Sequence, residues 1–244
     1  MGTAGRTATG ETGRRGQVLS GIAVALGCVL FLGGFVWGAI VYQPYTVPTD
    51  SMAPTVKAGD RVLAERIDGG DVRRGDVVVF RDSVWGDLPM LKRVVGVGGD
   101  KVACCDAEGR LTIDGQAVDE PYLPGGGPAS ETGFEETVPR GKLFLLGDQR
   151  QDSQDSRMRL KSDDWAVDRS AVDARVDAAA WPMASLGVIS RPDAFAALPG
   201  GVSEPGPVRP LVLAILVGAV LILGGAAHGP ISRRRARAAR GRPA

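Results

Sequence analysis

Two stretches of this chain carry no charge, and they divide everything else. Residues 17–43 and 211–230 contain no Asp, Glu, Lys or Arg. Between them, residues 44–210 hold 20 basic and 27 acidic side chains. Residues 231–244 hold six arginines and no acid, and residues 1–16 carry Arg6, Arg14 and Arg15 against Glu11. The formal net charge of +1 over 244 residues is therefore a cancellation of blocks. A soluble domain has no reason to be partitioned in this way. A hydrophobic share of 44% also excludes wholesale disorder.

The uncharged stretches are also the apolar ones. Val18 to Tyr42 is a run of 25 residues. As a helix it is about 37 Å long, enough to cross a hydrocarbon core of about 30 Å with some tilt. A cleaved secretory signal is the alternative. Its apolar region spans about 7–15 residues and ends at a small-x-small site. Here the run is longer, and Val41-Tyr42-Gln43-Pro44 offers no such site, so a retained anchor is expected. Leu211 to Ala227, bracketed by Pro210 and Pro230, is a second run; at 17 residues it is short for a span, and a buried soluble helix is the alternative. The flanks favour the span, because arginines follow it and an acidic domain precedes it. Lys and Arg gather on the cytoplasmic side of short loops. Both termini are thus expected in the cytoplasm and residues 44–210 outside. Gly34-x-x-x-Gly38 and Gly225-x-x-x-Gly229 would let the two helices approach. The basic tail reads as a topology determinant beside anionic lipid head groups rather than as a nucleic-acid patch.

Between the spans the pattern is short and β-like. Val62–Ile67, Asp76–Phe80, Leu91–Val97, Lys101–Cys105, Leu111–Ile113, Gln116–Val118 and Leu143–Leu146 are expected strands. Asp114-Gly115 between two of them is a two-residue hairpin signal. Pro124 to Pro128 reads as a surface loop. The predicted class is mainly β: an antiparallel β-sheet catalytic domain flanked by one N-terminal and one C-terminal transmembrane helix. The expected order is a cytoplasmic tail (1–16), an anchor (17–43), an extracytoplasmic domain (44–190), a Pro/Gly-rich linker (191–210), a second transmembrane helix (211–230) and a basic cytoplasmic tail (231–244).

Elimination narrows the chemistry. The only histidine, His228, falls at the cytoplasmic end of the second span. A Ser-His-Asp triad, a Cys-His dyad and a His-ligated zinc site are therefore excluded from the outside domain. Cys28 lies in the first span and reads as packing. Cys104 and Cys105 are adjacent on an expected strand, so their side chains are expected on opposite faces; a bridge between neighbours is strained, the pair is not expected to be catalytic, and its redox state is left open. No phosphate-cradling loop stands out. What remains is a hydroxyl nucleophile with a base that is not histidine. A lysine can take a serine proton when burial lowers its pKa from about 10.4 by several units. Ser51 lies eight residues past Gln43, between Pro48 and Pro54, which hold the segment out of helix. Lys92 lies in Met90-Leu91-Lys92-Arg93-Val94-Val95-Gly96, where strand alternation puts it on one face with Val94 and turns Arg93 to the other. Taken alone, each residue has an ordinary reading: a turn serine, and a strand lysine facing water.

The blocks around these residues resemble, in order, those of the bacterial type I (leader) signal peptidases. Pro48-Thr49-Asp50-Ser51-Met52-Ala53-Pro54-Thr55 is similar to the nucleophile box. Gly59-Asp60-Arg61-Val62 and Arg74-Gly75-Asp76-Val77-Val78-Val79-Phe80 are similar to the following strand block. Leu91 to Gly96 with Gly99-Asp100-Lys101-Val102 is similar to the lysine box. Gly147-Asp148-Gln149-Arg150 with Ser153, Asp155, Ser156 and Arg157 is similar to the last box.

The resemblance implies a membrane-anchored serine endopeptidase with Ser51 as nucleophile and Lys92 as general base. Ser153 would orient the lysine amine, and Thr49 with the Ser51 N–H would hold the oxyanion. Asp155 and Arg157 would form a supporting ion pair, with Asp148 a neighbouring structural position. The implied substrate is a secretory preprotein bound extended at a sheet edge, with small residues at −1 and −3 in shallow pockets near Met52 and Val94. The partners implied are secretory preproteins and the lipid bilayer, with no nucleic acid, metal or cofactor. The implied location is the bacterial plasma membrane, with the catalytic domain on the outer face. Gln149 departs from the family's Asn, and Gly98-Gly99-Asp100 from Pro-Gly-Asp. Asp50 would oppose a neutral Lys92 if it pointed inward, and the sequence leaves its direction open. Val84-Trp85 with Leu88-Pro89-Met90 reads either as a segment dipping into the membrane interface or as an ordinary surface or core patch. The alternatives of another class are a non-catalytic anchored homologue and a Ser-Lys peptidase cutting one dedicated partner or itself.

Overall fold

The structure, a computed structural model, describes residues 8–125 and 127–240. The outer parts of the two expected tails, residues 1–7 and 241–244, lie outside the described residues. So do the side chains of His228 and of the arginines in the second tail. In chain order the elements are helix α1 (Ala8–Val41), then strands β1 (Tyr42–Thr46), β2 (Arg61–Arg66), β3 (Val77–Asp82), β4 (Gly86–Val97), β5 (Lys101–Cys104) and β6 (Leu111–Ile113). They continue with β7 (Gln116–Ala117), β8 (Phe134–Thr137), β9 (Lys142–Leu146), β10 (Val167–Asp168), β11 (Val172–Trp181) and β12 (Gly187–Val188). The one-turn helix α2 (Asp193–Ala196) and helix α3 (Val208–Arg240) complete the chain. Two compact units result: the long helices, and Val41–Gly206.

In the helical unit, Gly16–Val41 and Val208–Ala227 are long and apolar enough to cross a membrane. The first helix ends at Val41. Tyr42 and Gln43, expected in the anchor, instead pair with Glu65 and Ala64 as the first residues of β1. The second helix begins before Pro210 and continues through Pro230. Pro210 is tolerated because the first turn of a helix has no partner for its N–H groups. Among the described residues the helices approach at glycines seven apart; the surroundings of Gly229 lie outside them. A β-carbon on Gly27 would strike the Gly218 carbonyl, and one on Gly34 would strike Ile215. One on Gly225 would strike Val24, whereas Gly38 faces open space. Seven residues is about two turns, so Gly27 and Gly34 lie on one face, as do Gly218 and Gly225. Ser20 Oγ donates to the Gly225 carbonyl at 2.7 Å across the same seam.

The Val41–Gly206 unit is antiparallel β. The larger sheet has the order β1-β2-β11-β3-β4-β9-β10, with β12 on β11, and a smaller one runs β7-β6-β5-β8. The seven expected strands all form, with ends shifted by a few residues. The strand that reads least like one, β11, sits at the centre. Its Val172-Asp-Ala-Arg-Val-Asp sequence alternates charge with small residues, yet Arg175 and Asp177 are buried. They are matched there: Arg175 pairs with Glu65, and Asp177 accepts from Tyr42 Oη at 2.9 Å and Arg191 Nη2 at 2.7 Å. A buried charge is tolerated only when paired.

Residues 191–206, expected as a linker, pack on the β unit instead. Phe195 and Leu198 are buried in the cluster that holds Val95, Phe144 and Leu146. Arg191 donates to Ser203 Oγ at 2.7 Å, and Ser203 donates to Asp76. Apolar anchors and paired charges at this spacing make the segment part of the fold. A second correction concerns the cysteines. The strand ends at Cys104, so alternation no longer governs Cys105, and a disulfide joins the two.

Candidate active site

Ser51 sits on a single 3-10 turn, Asp50–Met52, between extended Thr49 and Ala53. The prolines on either side keep the turn from growing into a helix. Met52, fully buried, nails it into the core formed by Val62, Val77, Leu91 and Val176. The loop is closed by Val47 N–H to the Asp60 carbonyl at 2.8 Å and Gly59 N–H to the Val47 carbonyl at 2.9 Å. Gly59 has φ of +87°, a left-handed conformation suited to glycine. Asp50 is turned away onto this loop, where its carboxylate accepts from the Ala58 N–H at 2.9 Å.

Lys92 lies opposite Val78 in the β3–β4 pair. Its side chain is 3% exposed, and its Nζ is 2.9 Å from Ser51 Oγ. Burial pushes the amine down from 10.5 to about 8, against the opposing pull of the Asp155 and Asp148 carboxylates. Thr49 Oγ1 also donates to Ser51 Oγ, at 3.1 Å. The structure thus brings Ser51, Lys92 and Thr49 together.

The last box forms the wall behind the serine. Gln149 N–H donates to the Ser51 carbonyl at 3.0 Å, a main-chain contact that the change from Asn does not alter. Asp155 accepts from the Gly147 N–H at 3.0 Å and is gripped by Arg157 at 2.9 and 2.8 Å. Asp148 is held by Arg93 in a two-pronged pair, at 2.8 and 2.7 Å, and by Thr55 at 2.5 Å. Ser153 departs from the implied arrangement. Its Oγ is buried and has no hydrogen-bond partner among the described residues, so the bond to Lys92 is not made.

Three residues outside the expected set complete the site. Arg93, on the other face from Lys92, is 1% exposed and also donates to the Gly75 carbonyl at 2.8 Å. The Tyr122 ring covers its guanidinium at 3.9 Å. An arginine directly before Val94 and Val95, on a strand buried on both faces, is the signal that could have marked it. Thr55 joins the same pair. Gly147 has no room for a side chain: a β-carbon there would run into Ser153 and the Ser51 carbonyl. Gly147→Ala is therefore expected to displace Ser51 and lower kcat by about 100-fold, since a shift of about 1 Å costs that much. Steady-state kinetics would check this; near-normal kcat would show that the wall yields.

Val94, expected beside a substrate pocket, is fully buried in a different cluster from Met52, with Val78 and Phe80. Leu91, one residue before Lys92, shares Met52's cluster instead. Of the segment expected either at the membrane interface or as a surface or core patch, Leu88 is exposed, whereas Trp85 packs edge-on against Phe80 at 5.9 Å. Among the described residues, no group of three or more His, Cys, Asp or Glu gathers as a metal site.

Comparison with known proteins places the chain in a family. Residues 17–181 match the family described as signal peptidase, peptidase S26. A signal peptidase IB of Staphylococcus aureus is 31% identical over 188 residues, covering 68% of this chain and 90% of the relative. Signal peptidase I U of Bacillus subtilis is 35% identical over 136 residues, 51% of this chain and 71% of the relative. A solved signal peptidase I from Enterococcus faecalis overlays on 42% of this chain and 94% of its own, with a TM-score of 0.35 and 26% identity. The matched region carries the Ser51 turn, the Lys92 strand and the wall behind them, and the chain belongs to the S26 signal peptidase family.

Proposed function

We propose that this chain is a membrane-anchored serine endopeptidase that removes signal peptides from secretory preproteins, with Ser51 as nucleophile and Lys92 as general base. The observation that carries this reading is the 2.9 Å approach of a buried lysine amine, with its pKa near 8, to a serine hydroxyl. In its neutral form Lys92 Nζ accepts the Ser51 proton as Oγ attacks the scissile carbonyl. The Thr49 hydroxyl then turns from Ser51 Oγ to the developing oxyanion, joined by the Ser51 N–H. Such donors are each worth about 2.7–4 kcal/mol in the transition state. Lys92 gives its proton to the leaving amine and later activates water against the acyl-enzyme. Ser153 takes up the lysine amine as Ser51 is acylated. An unpaired buried hydroxyl costs about 1–3 kcal/mol, which that bond relieves. Asp148, Asp155 and Arg157 hold the wall in place.

Cleavage after small residues at −1 and −3 follows from an extended substrate lying on the Met52 and Leu91 side, where side chains of one parity meet an apolar surface. The helices α1 and α3 are the anchors. The arginine-rich ends lie in the cytoplasm and the β unit lies outside, so cleavage occurs where the preprotein emerges from the bilayer.

A lysine base imposes a pH profile. Below its pKa of about 8 the active neutral form falls tenfold per pH unit. kcat/KM is expected to be about 100-fold lower at pH 6 than on the plateau above pH 9, measured on a preprotein with the full chain in detergent. A profile flat down to pH 5 would sink the lysine base. Ser51→Ala is expected to be inactive at every pH.

A further inference from the structure

One edge of β4 is open beside the dyad. β9 pairs with β4 only from Arg93 onward, so Gly86–Lys92 has β3 on one side and no strand on the other. The chain beyond β9 turns back along this open edge. There residues 154–162 face Trp85 and Met90 across a cavity of about 470 Å³. Met90 is two residues before Lys92, and Asp155, in the opposite wall, holds the Gly147 N–H behind Ser51.

The floor of this cavity is apolar, made by Trp85, Met90 and the exposed side chain of Met158. Among the described residues, the charges that line it are matched except one. Asp155 is paired with Arg157 at 2.8 Å, and Arg159 with Asp164 at 2.7 Å. Arg159 also donates to the Val84 carbonyl at 2.7 Å, closing the far end. Among the described residues, Lys161 at the rim has no ion-pair partner.

We propose that this cavity is a specificity subsite that takes an acidic side chain of the substrate next to the cleaved bond. The inference rests on the Ser51/Lys92 reading given above. A chain added to the open edge of β4 lies between that strand and residues 154–162, over the cavity. Alternate side chains of an extended chain point to opposite faces. The −1 and −3 residues meet the Leu91 and Met52 face, and Met90 points the other way. The occupant is therefore of opposite parity, the residue at −2 or +1. Its methylenes lie on Met90, Met158 and Trp85, and its carboxylate meets the Lys161 ammonium. Glutamate spans floor to rim better than aspartate, glutamine keeps the size without the charge, and lysine is repelled.

The test uses the full chain in detergent and one preprotein carrying Glu, Gln or Lys in turn at −2 and at +1. With wild type, kcat/KM at one of the two positions is expected to favour Glu over Gln by about two- to fivefold, the size of an exposed ion pair, and to disfavour Lys. Lys161→Glu is expected to invert the Glu-to-Lys ratio at that position alone. Ratios that ignore the charge at residue 161 at both positions overturn the subsite. Failure of wild type to cleave any of the preproteins overturns the Ser51/Lys92 reading, and the subsite with it.

Discussion

Lys92→Met is expected to abolish cleavage and to make the folded protein more stable at neutral pH. Loss of activity follows if Lys92 is the base proposed above. The gain in stability follows from linkage. In the unfolded chain the Lys92 amine titrates near 10.5, but in the fold burial lowers it to about 8. Between those values the unfolded state binds the extra proton, so stability rises with pH across that window. Below pH 8 the cost of burying the ammonium is present in full, about 3 kcal/mol. Met keeps the length of the side chain and removes that cost. Urea denaturation of the full chain in detergent at pH 7 and pH 10 reads the result. The variant is expected to gain up to about 3 kcal/mol at pH 7, with the gain fading toward pH 10. A variant less stable than wild type at pH 7 would mean that Lys92 is charged and well paired in the fold, which is incompatible with its use as a base.

Asp148→Ala is expected to produce the largest loss of stability. Arg93 and Asp148 are 1% and 0% exposed. Arginine does not shed its proton in a protein. Removing the carboxylate therefore leaves a buried, uncompensated charge, at a cost of about 3–5 kcal/mol. Domains of this size are stable by only about 5–15 kcal/mol. Activity should fall as well, because the neighbouring Gln149 N–H holds the Ser51 carbonyl. Adding Arg93→Met to Asp148→Ala removes the stranded charge, so the double variant is expected to recover much of the lost stability. A single variant that loses less than about 1 kcal/mol would show that water reaches the pair.

The strands with apolar runs or alternation, among them β3, β4, β6 and β9, were legible because their pattern is local. The central strand β11 was not, because its charged residues are acceptable only beside Glu65, Tyr42 and Arg191, which are remote in sequence. The same holds for residues 191–206. Pro and Gly suggest a free linker until Phe195 and Ser203 are seen to have partners. The helix seam was legible only in part: four- and seven-residue glycine spacings both place residues on shared faces, and packing put Gly34 and Gly225 in the seam but not Gly38.

From the sequence alone came the two uncharged runs, the acidic block between them and the exclusion of histidine from the β unit. Those facts led to a serine and a lysine as candidates, because composition and covalent spacing are properties of the chain. Tertiary structure decided the rest. It brought residues 51 and 92 to within 2.9 Å, turned Asp50 away, left Ser153 unpaired and buried the lysine deeply enough to hold its pKa near 8. A pKa is set by burial and by charges near in space, and strand pairing, not sequence distance, determines which charges those are.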